Sequence, residues 1–197
     1  GKTDRAKDRV FNQIFRIPFF NNSSSILMVE GKLDRLYFEA LRAPEHGKNK
    51  LDFEGEIFDY DGWTTLKNPT LLRFLRSRCK QFFITYDLDI EKDLESILKQ
   101  NSFKRSVDYI SIGQDKAGFR NIEGLVPRKY IDAINLENSE LTSAAMHGSK
   151  VEQESAKANL KKLYTDKFIK EAKISDGDYD EFYKLVKIIN KSFSRAK

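Results

Sequence analysis

The feature that most constrains the fold is an alternation of short apolar runs with longer segments in which apolar residues recur at helical spacing. Four short runs predict strands, over residues 26–29 (ILMV), 56–60 (EIFDY), 82–86 (FFITY) and 107–112 (VDYISI). Three intervening segments predict helices, over residues 32–42, 68–80 and 90–99. Strands that alternate with helices at this pace predict an α/β fold with a mostly parallel, Rossmann-like sheet of four strands flanked by helices.

The two ends of the chain have a different character. Residues 2–16 predict a short charged helix, and Pro18 ends it. After about Leu136 the β-branched runs disappear, and residues 148–172 and 178–192 predict two further helices. We therefore expect an α/β core with an amino-terminal helix over residues 1–135, and a helical region packed on that core over residues 136–197.

Composition narrows the class of protein. At 197 residues with 40% apolar residues, the chain can bury a real core, and its net charge of +5 permits a polyanionic partner without requiring one. A single cysteine excludes an internal disulfide, and two histidines with one cysteine give no zinc-binding set. A reducing cytoplasm fits best. No apolar run approaches the roughly 20 residues of a membrane helix, so we expect no membrane partner.

Acidic residues follow two of the predicted strands. Glu30 and Asp34 come after the first, and Asp87 and Asp89 come after the third. The carboxyl ends of parallel strands meet at one sheet edge, where four acids would repel one another unless cations lay between them. Mg²⁺ prefers such oxygen ligands. The alternative is that these acids only cap the helices that follow.

Three segments carry a resemblance to known proteins. The segments "ILMVEGKLD" and "FFITYDLD" resemble the two motifs of a Toprim domain, the fold shared by topoisomerases, primases and several nucleases. A third, "FRNIEGLVP", resembles the nuclease domain of the OLD (overcoming lysogenization defect) family, and this resemblance adds Glu123 to the metal ligands. The resemblance as a whole covers about residues 25–127. Topoisomerases and primases usually carry a glycine soon after the DxD motif, whereas Ile90, Glu91 and Lys92 follow here.

OLD proteins also carry an amino-terminal ATPase with a phosphate-binding loop. This chain contains no GxxxxGK[ST] motif, so we expect no nucleotide site in it. The chain begins with glycine, in what resembles the middle of a helix. We therefore expect the carboxyl-terminal catalytic region of a larger ATPase-nuclease, with DNA and the ATPase region as partners and a homodimer as one possible assembly of the full-length protein.

A late lysine is expected at the same site. A helical wheel over residues 154–168 places Lys167 in the middle of a stripe formed by Ala156, Leu160, Leu163 and Tyr164. OLD-like nucleases use a lysine from this region, so the resemblance implies Lys167. The alternative is that the helix ends there and the lysine extends into water.

Together these features predict a metal-dependent DNA endonuclease that nicks or cleaves its substrate. We expect it to use two Mg²⁺ or Mn²⁺ ions for phosphodiester hydrolysis. The expected catalytic residues are Glu30, Asp87, Asp89 and Lys167. The expected metal ligands are Glu30, Asp34, Asp87, Asp89 and Glu123. Two alternatives remain open: another Toprim enzyme, similar to RNase M5 or to a primase, and a non-catalytic nucleic-acid-binding module.

Basic residues are expected to hold the nucleic acid. No acid occurs between Lys67 and Lys80, and the helix predicted there has a basic face opposite its apolar stripe, which suits backbone phosphates but also a solvated surface. The expected contacts are Lys67, Arg73, Arg76, Lys80, Lys116 and Arg120. Trp63, after the second strand, could stack on a base, with core packing as the alternative.

Overall fold

The computed structural model describes residues 25–196, so the helix predicted over residues 2–16 lies outside the described residues. Four strands form one sheet: β1 (Ser25–Val29), β2 (Gly55–Asp59), β3 (Gln81–Asp87) and β4 (Tyr109–Ile112). Their order is β2-β1-β3-β4, and all neighbouring pairs are parallel. The prediction of an α/β fold with a parallel four-stranded sheet and flanking helices is confirmed.

The α-helices are α1 (Lys32–Ala40), α2 (Pro69–Arg78), α3 (Glu91–Gln100), α4 (Arg128–Glu137), α5 (Ser139–His147), α6 (Lys150–Glu171) and α7 (Asp180–Phe193). The predicted segments match all of them except α4 and α5. Helix α5 buries only Ala145 and has a weak pattern, whereas α4 buries Tyr130, Ile131 and Ile134 at helical spacing, a pattern from which it could have been predicted. None of the helices in residues 25–196 is long and apolar enough to cross a membrane.

Both faces of the sheet are covered, which explains why its central strands are apolar throughout. Successive side chains of a strand point to opposite faces. Leu27 and Val29 therefore lie in one apolar cluster, whereas Ile26 and Met28 lie in another. The first cluster includes residues of α1, α4, α6 and α7, and the second includes residues of α2 and α3. The carboxyl-terminal helices thus supply part of one covering layer.

The order of the strands creates a crevice at one edge. From β1 the chain passes outward to β2 and then crosses back beyond β1 to β3. Helix α1, which follows β1, packs in the first cluster, while α3, which follows β3, packs in the second. The chain therefore leaves two adjacent strands toward opposite faces of the sheet. Such a switch point is where open α/β sheets bind ligands.

Candidate metal and catalytic site

Glu30 and Asp87 lie on the two sides of the switch point. Glu30 follows β1 directly and Asp87 ends β3, and the Asp87 backbone N–H donates to Oε2 of Glu30 over 3.3 Å. Burial raises the pKa of Glu30, and the carboxylate of Asp89 raises it further. The backbone N–H groups of Asp87 and Trp63 and the ammonium of Lys161 act in the opposite direction. Glu30 therefore lies within electrostatic or hydrogen-bonding reach of Asp87, Asp89, Lys161 and Trp63.

Asp34 both caps a helix and belongs to this site. Its Oδ2 accepts the Gly31 backbone N–H at 2.8 Å in the first turn of α1, which is the capping role considered from the sequence. Burial, followed by repulsion from Glu123 and Glu30, raises its pKa to about 7. Capping therefore does not exclude a second role, because the same carboxyl group is within electrostatic reach of two other acids.

The pKa of Asp87 is raised even more strongly than that of Asp34. Burial, together with repulsion from Asp34 and Glu30, raises its pKa to about 9. The side chain of Asp89, in contrast, is exposed. Its negative charge raises the pKa of Glu30. The Asp89 backbone N–H donates to the carbonyl oxygen of Arg120 over 3.3 Å. The DxD segment thus contributes one half-buried and one exposed carboxyl group.

Glu123 enters the site on a short 3-10 turn, Ile122–Leu125, and is only 6% exposed. Gly124 beside it has no room for a side chain, since a Cβ there would lie 2.0 Å from the Phe119 carbonyl oxygen. The preceding loop is fastened to the DxD segment, where the Arg120 guanidinium donates to the Leu88 carbonyl oxygen at 3.2 Å. The glycine of "NIEG" therefore allows the close backbone approach that places Glu123.

The ammonium group at the site belongs to Lys161, not to Lys167 as predicted. Lys161 Nζ lies 3.3 Å from Oε2 of Glu123. Burial opposes the charge on Lys161, but the carboxylates of Glu123, Asp87 and Asp34 outweigh it and raise the pKa of the lysine. Lys167 instead pairs with Glu137 at 2.9 Å and Glu171 at 3.7 Å. The expectation that Lys167 joins the acids is corrected accordingly.

The reason lies in the way α6 packs along its length. Its first half places Ala156 and Leu160 in a small cluster with residues of α4 and α5. Farther along, Phe168 packs in the large cluster beneath the sheet. Lys161, Thr165 and Phe168 follow the i, i+4, i+7 spacing of one helix face. The buried face thus rotates along the 22-residue helix, whereas a single wheel assumed one fixed stripe.

Some of the predicted basic residues lie on or near α2, and others lie near the DxD segment. On α2, Arg73 donates to its own helix at the Pro69 carbonyl oxygen, and Arg76 donates to the carbonyl oxygens of Asn101 and Ser102. The remaining ones are Lys67, Lys80, Lys116 and Arg120. Of these, Arg120 pairs with Asp115 at 3.2 Å and Lys116 lies over the Phe119 ring at 5.2 Å. The group around residue 120 is the one joined to the DxD segment.

The donor set fits a hard divalent cation by its chemistry. Each predicted ligand offers carboxylate oxygens. Burial, and after it the neighbouring acids, raises the pKa values of Glu30, Asp34 and Asp87, and a divalent cation would offset both effects. Within residues 25–196, no three His, Cys, Asp or Glu side chains form a preassembled metal-binding group.

Comparison of the chain with protein-family models, with curated proteins and with solved structures gave no match.

Proposed function

We propose that this protein is a metal-dependent nuclease that hydrolyses phosphodiester bonds in DNA. One observation carries the proposal: carboxyl groups from the ends of β1 and β3, from α1 and from the 122–125 turn influence one another at a topological switch point, with one ammonium among them. Perturbed carboxyl groups in the expected ligand crevice of an α/β sheet favour a functional site over a set of surface charges.

The proposed metal ligands are Glu30, Asp34, Asp87, Asp89 and Glu123. Mg²⁺ or Mn²⁺ held there would supply Lewis-acid activation of the phosphodiester and of the attacking water. Glu30 is held by the Asp87 backbone N–H, and Asp34 is held at Oδ2 by Gly31, so two carboxyl groups are oriented before any ion arrives. This orientation reduces the rearrangement that binding requires.

Lys161 is the proposed cationic catalytic residue. Its side chain is 40% exposed, so its ammonium can reach a substrate phosphate while it stays beside Glu123. A fixed positive charge lowers the barrier by stabilising the negative charge that develops on the phosphate oxygens in the transition state. The raised pKa keeps Lys161 protonated at neutral pH, as this role demands.

The finer assignment is to a Toprim nuclease similar to the OLD family, with an ATPase region as partner in the full-length protein. Its support is the combination of "VEGKLD", "YDLD" and "NIEG" with a parallel sheet in which the first two segments lie at the carboxyl ends of the neighbouring strands β1 and β3. Phosphate contacts are proposed for Lys116 and Arg120 beside the DxD segment, and for Lys67, Arg73, Arg76 and Lys80 nearer α2.

The test is cleavage of supercoiled plasmid DNA, single-stranded DNA and structured RNA in Mg²⁺, Mn²⁺ or EDTA. We expect DNA cleavage that needs the divalent ion and that Asp87→Asn abolishes. Asp52→Asn is the matched control, because Asp52 is exposed and precedes β2 at the opposite edge of the sheet. Cleavage of RNA alone would favour the ribonuclease alternative, and no cleavage of any substrate would refute the proposal.

A further inference from the structure

The loop between β2 and α2 borders the acidic site. Gly62 donates its backbone N–H to the Glu30 carbonyl oxygen at 3.1 Å, and the next backbone N–H, that of Trp63, faces the Glu30 carboxylate. Two successive residues with positive φ, Asp61 at 54° and Gly62 at 95°, turn the chain here. The short helix Trp63–Lys67 therefore starts beside the carboxylate that follows β1.

Trp63 is not a core residue of the sheet. Leu66, in the same turn, is fully buried in the second apolar cluster, whereas Trp63 is half-buried and belongs to neither cluster that covers the sheet in the described part of the chain. Trp63 therefore does not pack in the core of the sheet, which was the alternative considered from the sequence. A half-buried indole presents an aromatic surface and an N–H donor at the surface of the protein.

Lys67 lies against this ring, with its Nζ 3.9 Å from the ring centroid. The lysine is exposed, and within residues 25–196 no ion pair engages its ammonium. The ammonium thus lies over one face of the indole. A base that stacks on this face would displace the ammonium, which could then contact the phosphate of the same strand. This pair of groups matches a nucleotide, because every base has a π-face and every nucleotide in a strand has a phosphate.

We propose that Trp63 and Lys67 form a nucleotide-binding subsite, in which the indole stacks on an unpaired base and the ammonium contacts the adjoining backbone phosphate. The subsite rests on the proposed function, since it holds the strand next to the phosphodiester that the acidic site would cut. It also specifies the substrate class. Bases inside a duplex are covered by their neighbours, so the subsite selects single-stranded or locally unpaired DNA.

The first test uses the fact that Trp63 is the only tryptophan in the chain, so intrinsic tryptophan fluorescence reports on this ring alone. In EDTA, where no cleavage occurs, a single-stranded thymidine oligonucleotide should quench the emission saturably. An abasic oligonucleotide of the same length carries the phosphates without the bases and should leave the emission nearly unchanged. Equal quenching by both strands, or no quenching by either, would overturn the subsite.

The second test measures binding of labelled single-stranded DNA by anisotropy. Trp63→Leu should weaken binding roughly ten-fold or more, whereas Trp63→Phe, which keeps an aromatic face, should stay within about three-fold of the wild type. Lys67→Gln should weaken binding and flatten its salt dependence by about 0.7 in log–log slope. Unchanged circular dichroism and an unchanged midpoint of urea unfolding would show that the variants remain folded.

The two proposals fail separately. Base-dependent quenching without any metal-dependent cleavage would leave the subsite standing and refute the nuclease. Metal-dependent cleavage together with undiminished single-strand binding and cutting by Trp63→Leu would refute only the subsite.

Discussion

Asp87→Asn should stabilise the fold in the absence of divalent ions, and by an amount that depends on pH. In the unfolded chain this carboxyl group titrates at its ordinary value of 3.8, whereas burial and the neighbouring acids raise its pKa to about 9 in the folded protein. At pH 7 the unfolded chain carries the charge and the folded chain does not. Folding must therefore take up a proton at this side chain, and asparagine removes that requirement.

The size of the effect follows from the two pKa values. Each pH unit between 3.8 and the ambient pH contributes about 1.4 kcal/mol, so the penalty is about 4 kcal/mol at pH 7 and about 2 kcal/mol at pH 5. The sign follows from the raised folded pKa, since stability falls as pH rises from 3.8 toward 9. These figures are upper values, because side-chain rotation toward water relieves part of the repulsion.

The assay is urea unfolding followed by circular dichroism at pH 5 and pH 7 in EDTA. Asp87→Asn should raise the free energy of unfolding by between about 1 and 4 kcal/mol at pH 7, and by about half as much at pH 5. Asp89→Asn is the control, because this exposed side chain should change stability by less than about 0.5 kcal/mol. A destabilised Asp87→Asn variant, or a gain that does not shrink at pH 5, would refute the reasoning.

Three further predictions concern the supports of the site. Lys161→Met should lower the rate of DNA hydrolysis by about 10²-fold to 10³-fold in single-turnover assays, while Lys167→Met should leave it within about two-fold. Phe168→Ala should lower the free energy of unfolding by about 3 to 5 kcal/mol in urea. Ile169→Ala should lower it by clearly less, about 1 to 2 kcal/mol, because Ile169 is 37% exposed and Phe168 is 1% exposed. Gly124→Ala should lower it by about 1 to 3 kcal/mol and weaken Mn²⁺ binding, because its Cβ would meet the Phe119 carbonyl oxygen; unchanged Mn²⁺ affinity would contradict the role given to this turn.

Local pattern was enough to predict the sheet and its acidic edge. Strands such as ILMV and FFITY are buried on both faces, so they are apolar along their whole length and stand out in the sequence. The acids that follow them, Glu30 and Asp87, then had to lie at one edge once the strands were parallel. The strand order that makes β1 and β3 neighbours is a long-range property, and no local pattern encodes it.

The lysine could not be predicted correctly from the same information. Whether α6 presents Lys161 or Lys167 to the acids depends on a change of packing partner, from Ile134 and Ala145 near its start to the sheet cluster near Phe168. A helical wheel drawn for one stripe averages over that change. Helix α5 has a similarly weak local pattern, since it buries only Ala145, which packs with Ala156 and Leu160 of α6.

The central claim is that the carboxyl groups at the switch point hold divalent cations, and titration calorimetry with Mn²⁺ tests it most directly. We expect saturable binding to the wild type, with protons released as the cation replaces those held by Asp34 and Asp87. Glu30→Gln and Asp87→Asn should each weaken binding at least ten-fold, and Asp52→Asn should not. Absence of Mn²⁺ binding to the wild type, or equal binding by all four proteins, would contradict the account.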